Sequence, residues 1–132
     1  MTLVDSNILI DIMTKDAAWF EWSAGALERC AARGALIINE VVFAELAVRG
    51  AGEEALQRDL KTLQVSLEPT PMAALCLAGQ VFARYRASGG TRASLLPDFF
   101  IGAFAQNAGL PILTRDTRRY RTYFPKVQLI AP

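Results

Sequence analysis

Residues 1–13, MTLVDSNILIDIM, join a short apolar run to a helix-forming run, with an acid at the junction. A buried strand is predicted over Leu3–Asp5, followed by a short helix that Ser6 or Asn7 caps and that runs to about Met13. The apolar run has no basic leader before it and no small-residue cleavage site after it, so a strand is expected rather than a signal peptide. The same strand-then-helix alternation recurs along the chain. Further strands are predicted at Leu36–Ile38, Val65–Leu67, Ile112–Thr114 and Gln128–Ile130. Brief apolar strands joined by helices indicate an α/β fold with a short parallel sheet of about five strands, flanked by helices in three layers.

The helices are read from their caps and breakers. Ala17–Arg33 ends at Gly34, Asn39 caps a helix through Val48, and Gly50 and Gly52 separate that helix from Glu53–Leu63. Pro71 opens Met72–Ala87, the segment Ser88–Pro97 is a loop, and Pro97 opens a helix to Asn107. A final helix or turn spans Thr117–Phe124. Phe99, Phe100, Ile101, Ala103, Phe104 and Ala105 surround the Pro97 helix with apolar groups, so burial on most sides is expected. The 132 residues suit one domain spanning 1–132.

Composition excludes several chemistries. There is no histidine, which rules out Ser/His/Asp and Cys/His catalysis and His-ligated zinc. Cys30 and Cys76 lack metal-site spacing and are expected to be reduced core thiols of a cytoplasmic protein. No stretch reaches the roughly 20 apolar residues of a membrane span. The net charge is only +1, yet residues 1–83 hold 6 basic against 11 acidic side chains and residues 84–132 hold 8 against 2. The two acids of the basic part are Asp98 and Asp116.

Four acids stand where carboxylates are informative. Asp5 and Asp116 follow predicted strands, at the sheet end where open α/β folds build ligand crevices. Glu45 lies in the apolar helix VVFAEL, and Asp98 lies in the first turn of the buried Pro97 helix. Taken singly, Asp5 and Asp116 also suit turns or caps, Asp98 suits a helix dipole, and Glu45 suits a solvated face. If they converge, their mutual repulsion calls for a cation, and an all-oxygen set suits Mg²⁺ or Mn²⁺. Phosphodiester hydrolysis is the matching chemistry. Asp11, Asp16 and Glu40 are read as surface or capping residues.

The stretches VDSNILID from Val4, Glu45–Leu46, PDFFIGAFA from Pro97 and TRDTRRY from Thr114 together resemble the PIN-domain nucleases, and among them the VapC toxins of bacterial toxin–antitoxin pairs. The resemblance implies a metal-binding, catalytic quartet of Asp5, Glu45, Asp98 and Asp116, with Asn7 and Thr114 as supports. It also implies a homodimer, structured RNA such as tRNA or ribosomal RNA as substrate, and a small antitoxin as partner. The alternatives are a non-catalytic RNA- or protein-binding module on the same fold, and a phosphatase using Asp5, which the missing DxD spacing weakens.

Arg115, Arg118 and Arg119, and Arg92 more remotely, are candidate contacts to RNA phosphates. Tyr120, Tyr123 and Phe124, interleaved with them, suit either base stacking or burial. Trp19, Phe20 and Trp22 form an aromatic cluster suited to core packing or, more sharply, to a partner surface.

Overall fold

The computed structural model describes residues 1–93 and 96–132. Its strands are β1 (Thr2–Val4), β2 (Leu36–Ile38), β3 (Val65–Leu67), β4 (Ile112–Leu113) and β5 (Leu129–Ile130). They form one parallel sheet in the order β3-β2-β1-β4-β5. The helices among the described residues are α1 (Ser6–Met13), α2 (Phe20–Ala31), α3 (Glu40–Ala47), α4 (Glu53–Thr62), α5 (Met72–Ala87), α6 (Pro97–Ala108) and α7 (Arg118–Tyr123). The α/β class and the five parallel strands agree with the sequence reading. Of the predicted Ser88–Pro97 loop, residues 94 and 95 lie outside the described residues; its described part up to Leu96 carries neither helix nor strand.

Strand order places the site. The chain lays β2 and then β3 to one side of β1, and later returns to lay β4 and β5 on its other side. The sheet therefore reverses direction of growth between β1 and β4, and the carboxyl ends of those two strands border the crevice such a reversal opens. Pairing is in register, Leu3 with Ile112 and Val4 with Leu113.

Successive strand residues point to opposite faces of a sheet. Leu3 and Val4 are both fully buried, as are Ile112 and Leu113, so helices cover both faces. β3, at the edge, buries Val65 and exposes Leu67. Helix α6 buries Phe99, Ile101, Ala103, Phe104 and Ala105, the all-round burial expected of it. Phe99 is the hub of an aromatic cluster whose rings, from Phe82, Tyr85, Tyr123 and Phe124, lie 5.4 to 6.4 Å from it. Each such pair adds about 0.5–1.5 kcal/mol to plain area burial. Gly102 lets the Phe124 ring lie directly on the α6 backbone, where a Cβ would overlap the ring. Gly109, at φ 68°, ends the helix in the left-handed conformation.

Several boundaries differ from expectation by one to three residues, and three of them have local reasons. β1 stops at Val4, because Asp5 leaves the sheet to cap α1 by accepting from the Ser6 amide; neither Ser6 nor Asn7 is the cap. β4 stops at Leu113, the residue paired with Val4, the last of β1. Helix α2 begins at Phe20 rather than Ala17, since Asp16 first folds a turn by accepting from the Ala18 and Trp19 amides. Cys30 is in the core, but Cys76, expected there too, is exposed on α5.

Candidate active site

Asp5 sits at the carboxyl end of β1 with 4% of its surface exposed. Its backbone geometry, φ −75° and ψ 152°, turns the chain out of the sheet and into α1. Oδ1 accepts from the Ser6 amide at 2.8 Å. Oδ2 accepts from Thr114 Oγ1 at 2.8 Å, Tyr120 OH at 3.0 Å and Asn7 Nδ2 at 3.2 Å. Four donors on one buried carboxylate fix its orientation firmly. Burial still dominates its ionisation, and with the nearby charge of Asp98 it raises the pKa from 3.8 to about 6, against the opposing hydrogen bonds.

Glu45 is half-buried on α3, where Ser6 Oγ donates to Oε1 at 3.2 Å. Its pKa is also raised, first by burial and then by the charges of Asp5 and Asp98. The Tyr120 hydroxyl is pushed well above its usual range by burial and by the charges of Asp5, Asp98 and Glu45. Asp5, Glu45 and Asp98 thus share one electrostatic neighbourhood. Asp98 is additionally ion-paired, with Arg119 Nη1 2.9 Å from Oδ2.

Asp116 follows the end of β4 by three residues and is exposed. Its amide donates to Thr114 Oγ1 at 3.1 Å, which ties it to the oxygen that touches Asp5. Its carboxylate turns toward α7 and accepts from the Arg118 amide at 3.4 Å. Three of the four predicted acids therefore feel one another's charge, while the fourth is tied to the site through its backbone, with its carboxylate directed at α7. Asn7 and Thr114, predicted as supports, are both bonded to Asp5.

The donor chemistry fits a hard divalent cation. Three carboxylates in one electrostatic neighbourhood, with oxygen ligands and no histidine or thiolate, match Mg²⁺ or Mn²⁺ in kind. As the side chains stand, no group of three ligating residues among the described residues is close enough to chelate a single ion. Arg119 instead supplies the positive charge at Asp98.

Several expectations are corrected. Asp11, read as a surface or capping residue, is 1% exposed and accepts from Ser23 Oγ at 2.8 Å, Arg115 Nε at 2.8 Å and Arg115 Nη2 at 3.0 Å. Arg115, predicted to contact phosphate, is thereby committed to Asp11, and its guanidinium also lies 5.3 Å from the centre of the Trp19 ring. Tyr120 and Phe124 are 1% exposed and closed to base stacking, and Tyr123 packs on Tyr85 and Phe99. Arg92 and Arg118 are exposed. Glu40 is exposed, in agreement with its reading as a surface residue, and accepts from the Thr70 amide and hydroxyl. Trp19, Phe20 and Trp22 are half-buried, with Trp19 and Trp22 in edge contact at 6.2 Å.

Sequence reasoning missed Ser6, Asp11 and the role of Tyr120. Ser6 lies inside the motif VDSN, and Tyr120 lies two residues beyond Arg118, so each was in view but had no long-range partner. Asp11 had a usable signal. It is the sixth residue of a largely apolar helix, SNILIDIM, an environment in which an unpaired acid is costly.

The sequence matches the PIN-domain family over residues 2–125. This chain belongs to the PIN-domain family. No curated protein matches it in sequence. Among solved structures, the PIN-domain chain is similar to one in VapBC2 from Rickettsia felis bound to a promoter DNA fragment, with TM-score 0.76, 16% identity, and 99% of this chain and 98% of that chain covered. It is also similar to a chain of a toxin–antitoxin complex from Klebsiella pneumoniae, with TM-score 0.68, 24% identity and coverage of 91% and 90%. A third is FitAcB from Neisseria gonorrhoeae, with TM-score 0.70, 19% identity and coverage of 98% and 96%. At these identities the likeness concerns the fold. No helix among the described residues is long and apolar enough to cross a membrane.

Proposed function

We propose that this PIN-domain protein is a Mg²⁺- or Mn²⁺-dependent endoribonuclease, the toxin of a toxin–antitoxin pair, acting on structured RNA such as tRNA or ribosomal RNA in the cytoplasm. One observation carries the reading. Asp5, at the carboxyl end of β1 where the sheet reverses growth, is a buried, fully oriented carboxylate electrostatically coupled to Asp98 and Glu45. The similar solved structures are toxin–antitoxin complexes, which supports the biological role and a small antitoxin as partner. A homodimer is part of the same proposal, from the motif resemblance.

Asp5, Asp98 and Glu45 are the residues that would hold the ion, with Asp116 on the adjoining turn. Bound there, the ion would supply water activation and charge stabilisation at phosphorus. The remaining work belongs to the chain. Ser6, Thr114, Tyr120 and Asn7 hold Asp5 in one orientation, so it needs no reorganisation as charge accumulates. Arg118 and Arg92, both exposed, and Arg119 beside Asp98 supply positive charge for RNA phosphates.

The test is cleavage of a structured RNA by the purified protein with Mg²⁺ or Mn²⁺ and again with chelator, alongside Asp5→Asn and Asp98→Asn. Cleavage that requires the ion and both acids is expected. Retained RNA binding with no ion-dependent cleavage would replace the reading by a non-catalytic RNA-binding module.

A further inference from the structure

We propose that Asp11 and Arg115 are a positioning pair that latches the Thr114–Asp116 turn onto α1 and so sets the geometry around Asp5. The proposal deepens the metal-dependent reading and rests on it where metal affinity is the readout. Arg115 stands between two predicted site residues, Thr114 and Asp116. Its side chain runs to Asp11 on α1 and bonds both carboxylate oxygens, at 2.8 and 3.0 Å. Both partners of this bridge belong to segments that also reach Asp5. Helix α1 is capped by Asp5, and the turn delivers Thr114 Oγ1 to it.

The backbone of Arg115 adds a second constraint. Its amide donates to Asn7 Oδ1 at 3.2 Å. An amide side chain whose oxygen is held by a donor must present its nitrogen on the other side. Asn7 Nδ2 accordingly points at Asp5 Oδ2 and Thr114 Oγ1, at 3.2 Å each. One residue therefore fixes the turn through its side chain and the Asn7 amide through its backbone.

The bridge is built as a fixed structure. Asp11 is 1% exposed and all its contacts come from donors, Ser23 adding a third at 2.8 Å. The flat guanidinium satisfies both oxygens at once and lies against Trp19, a fit that a lysine ammonium does not reproduce. A side chain so bound is ill suited to releasing its partner in order to meet RNA.

The test compares wild type with Arg115→Met, Arg115→Lys and Ser23→Ala. It reads backbone hydrogen exchange in the metal-free protein, Mn²⁺ affinity by calorimetry, and RNA affinity. In Arg115→Met the backbone amides at positions 115 and 116 should exchange about tenfold faster while Leu3 and Ile112 keep their protection. Mn²⁺ affinity should fall about tenfold or more, the usual effect of losing a group that orients metal ligands. Arg115→Lys should recover only part of both losses. Ser23→Ala should loosen the same two amides by a smaller factor, and it carries the test if Arg115→Met does not fold. Unchanged exchange at positions 115 and 116 in the folded variants overturns the latch. Loss of RNA affinity with exchange and Mn²⁺ affinity unchanged overturns it in favour of a phosphate contact. Wild type that binds no Mn²⁺ overturns the metal reading alone, and hydrogen exchange still decides the latch.

Discussion

Arg119 reaches from α7 to place Nη1 2.9 Å from Oδ2 of Asp98 on α6, so an arginine expected to meet RNA already neutralises one of the acids. A guanidinium there competes with a divalent ion for the same carboxylate. Arg119→Met should therefore strengthen Mn²⁺ binding several-fold while weakening RNA binding. Both partners are partly exposed, at 38% and 27%, so the change should cost less than about 1 kcal/mol of stability. Calorimetry with Mn²⁺ and with RNA reads the two effects separately, and equal Mn²⁺ affinity in the variant would show that the pair does not compete.

Asp5 gives a pH dependence with a definite sign. Its pKa is about 6 when folded against an ordinary 3.8, so between these values the folded protein retains a proton that the unfolded chain releases. Stability from this group accordingly falls as pH rises through that window and is constant above it. A shift of roughly two units corresponds to about 3 kcal/mol. Urea unfolding of wild type and Asp5→Asn at pH 4.5 and 7 should show the wild type losing more stability at the higher pH. Identical pH slopes in the two proteins would count against the shift. Because protons and metal compete, Mn²⁺ affinity should drop steeply below about pH 6.

Tyr120→Phe removes one buried donor from Asp5 without altering ring volume. Its expected cost is about 1.5–3 kcal/mol, typical of a hydrogen bond to a charged group. The Tyr120 hydrogen bond lowers the Asp5 pKa, so losing it should move the acid limb of the cleavage profile to higher pH. A thermal loss with no shift of that limb would mean that the hydroxyl serves packing only.

Arg92 and Arg118 are exposed and lie near the site in sequence. Replacing both with Ala should leave stability within about 0.5 kcal/mol, as for ordinary surface positions. The slope of log RNA affinity against log salt should flatten by about 0.7 for each lost contact to single-stranded phosphate. An unaltered slope would exclude both from the RNA path.

The sheet, its parallel sense and the main helices were legible because short apolar runs and strong punctuation by Asn39, Pro71, Pro97 and Gly109 repeat the same local message. Asn39 caps α3 and Pro71 precedes α5 as read. Boundaries moved where one side chain competed for the backbone, as Asp5 and Asp16 did. Neighbourhood in the site was harder. Asp5 and Thr114 are 109 residues apart and Asp11 and Arg115 are 104 apart, and no local pattern encodes such pairings. The basic stretch after Thr114 reads as one electrostatic surface in sequence. In three dimensions it divides into a half-buried brace at Arg115, an acid-bound side chain at Arg119 and an exposed arginine at Arg118.

The Phe124 ring lies where a side chain at position 102 would be. Helix α6, which carries Asp98, and the residue that ends α7, which carries Arg119 and Tyr120, therefore touch at a point with no adjustable atoms between them. A single methyl group, Gly102→Ala, would act as a wedge, at about 1–3 kcal/mol for overpacking. Such a wedge would separate acid from arginine and tyrosine without touching any of them. It would make the site's activity more temperature-sensitive than its fold, a handle on the enzyme placed in its core rather than at its mouth.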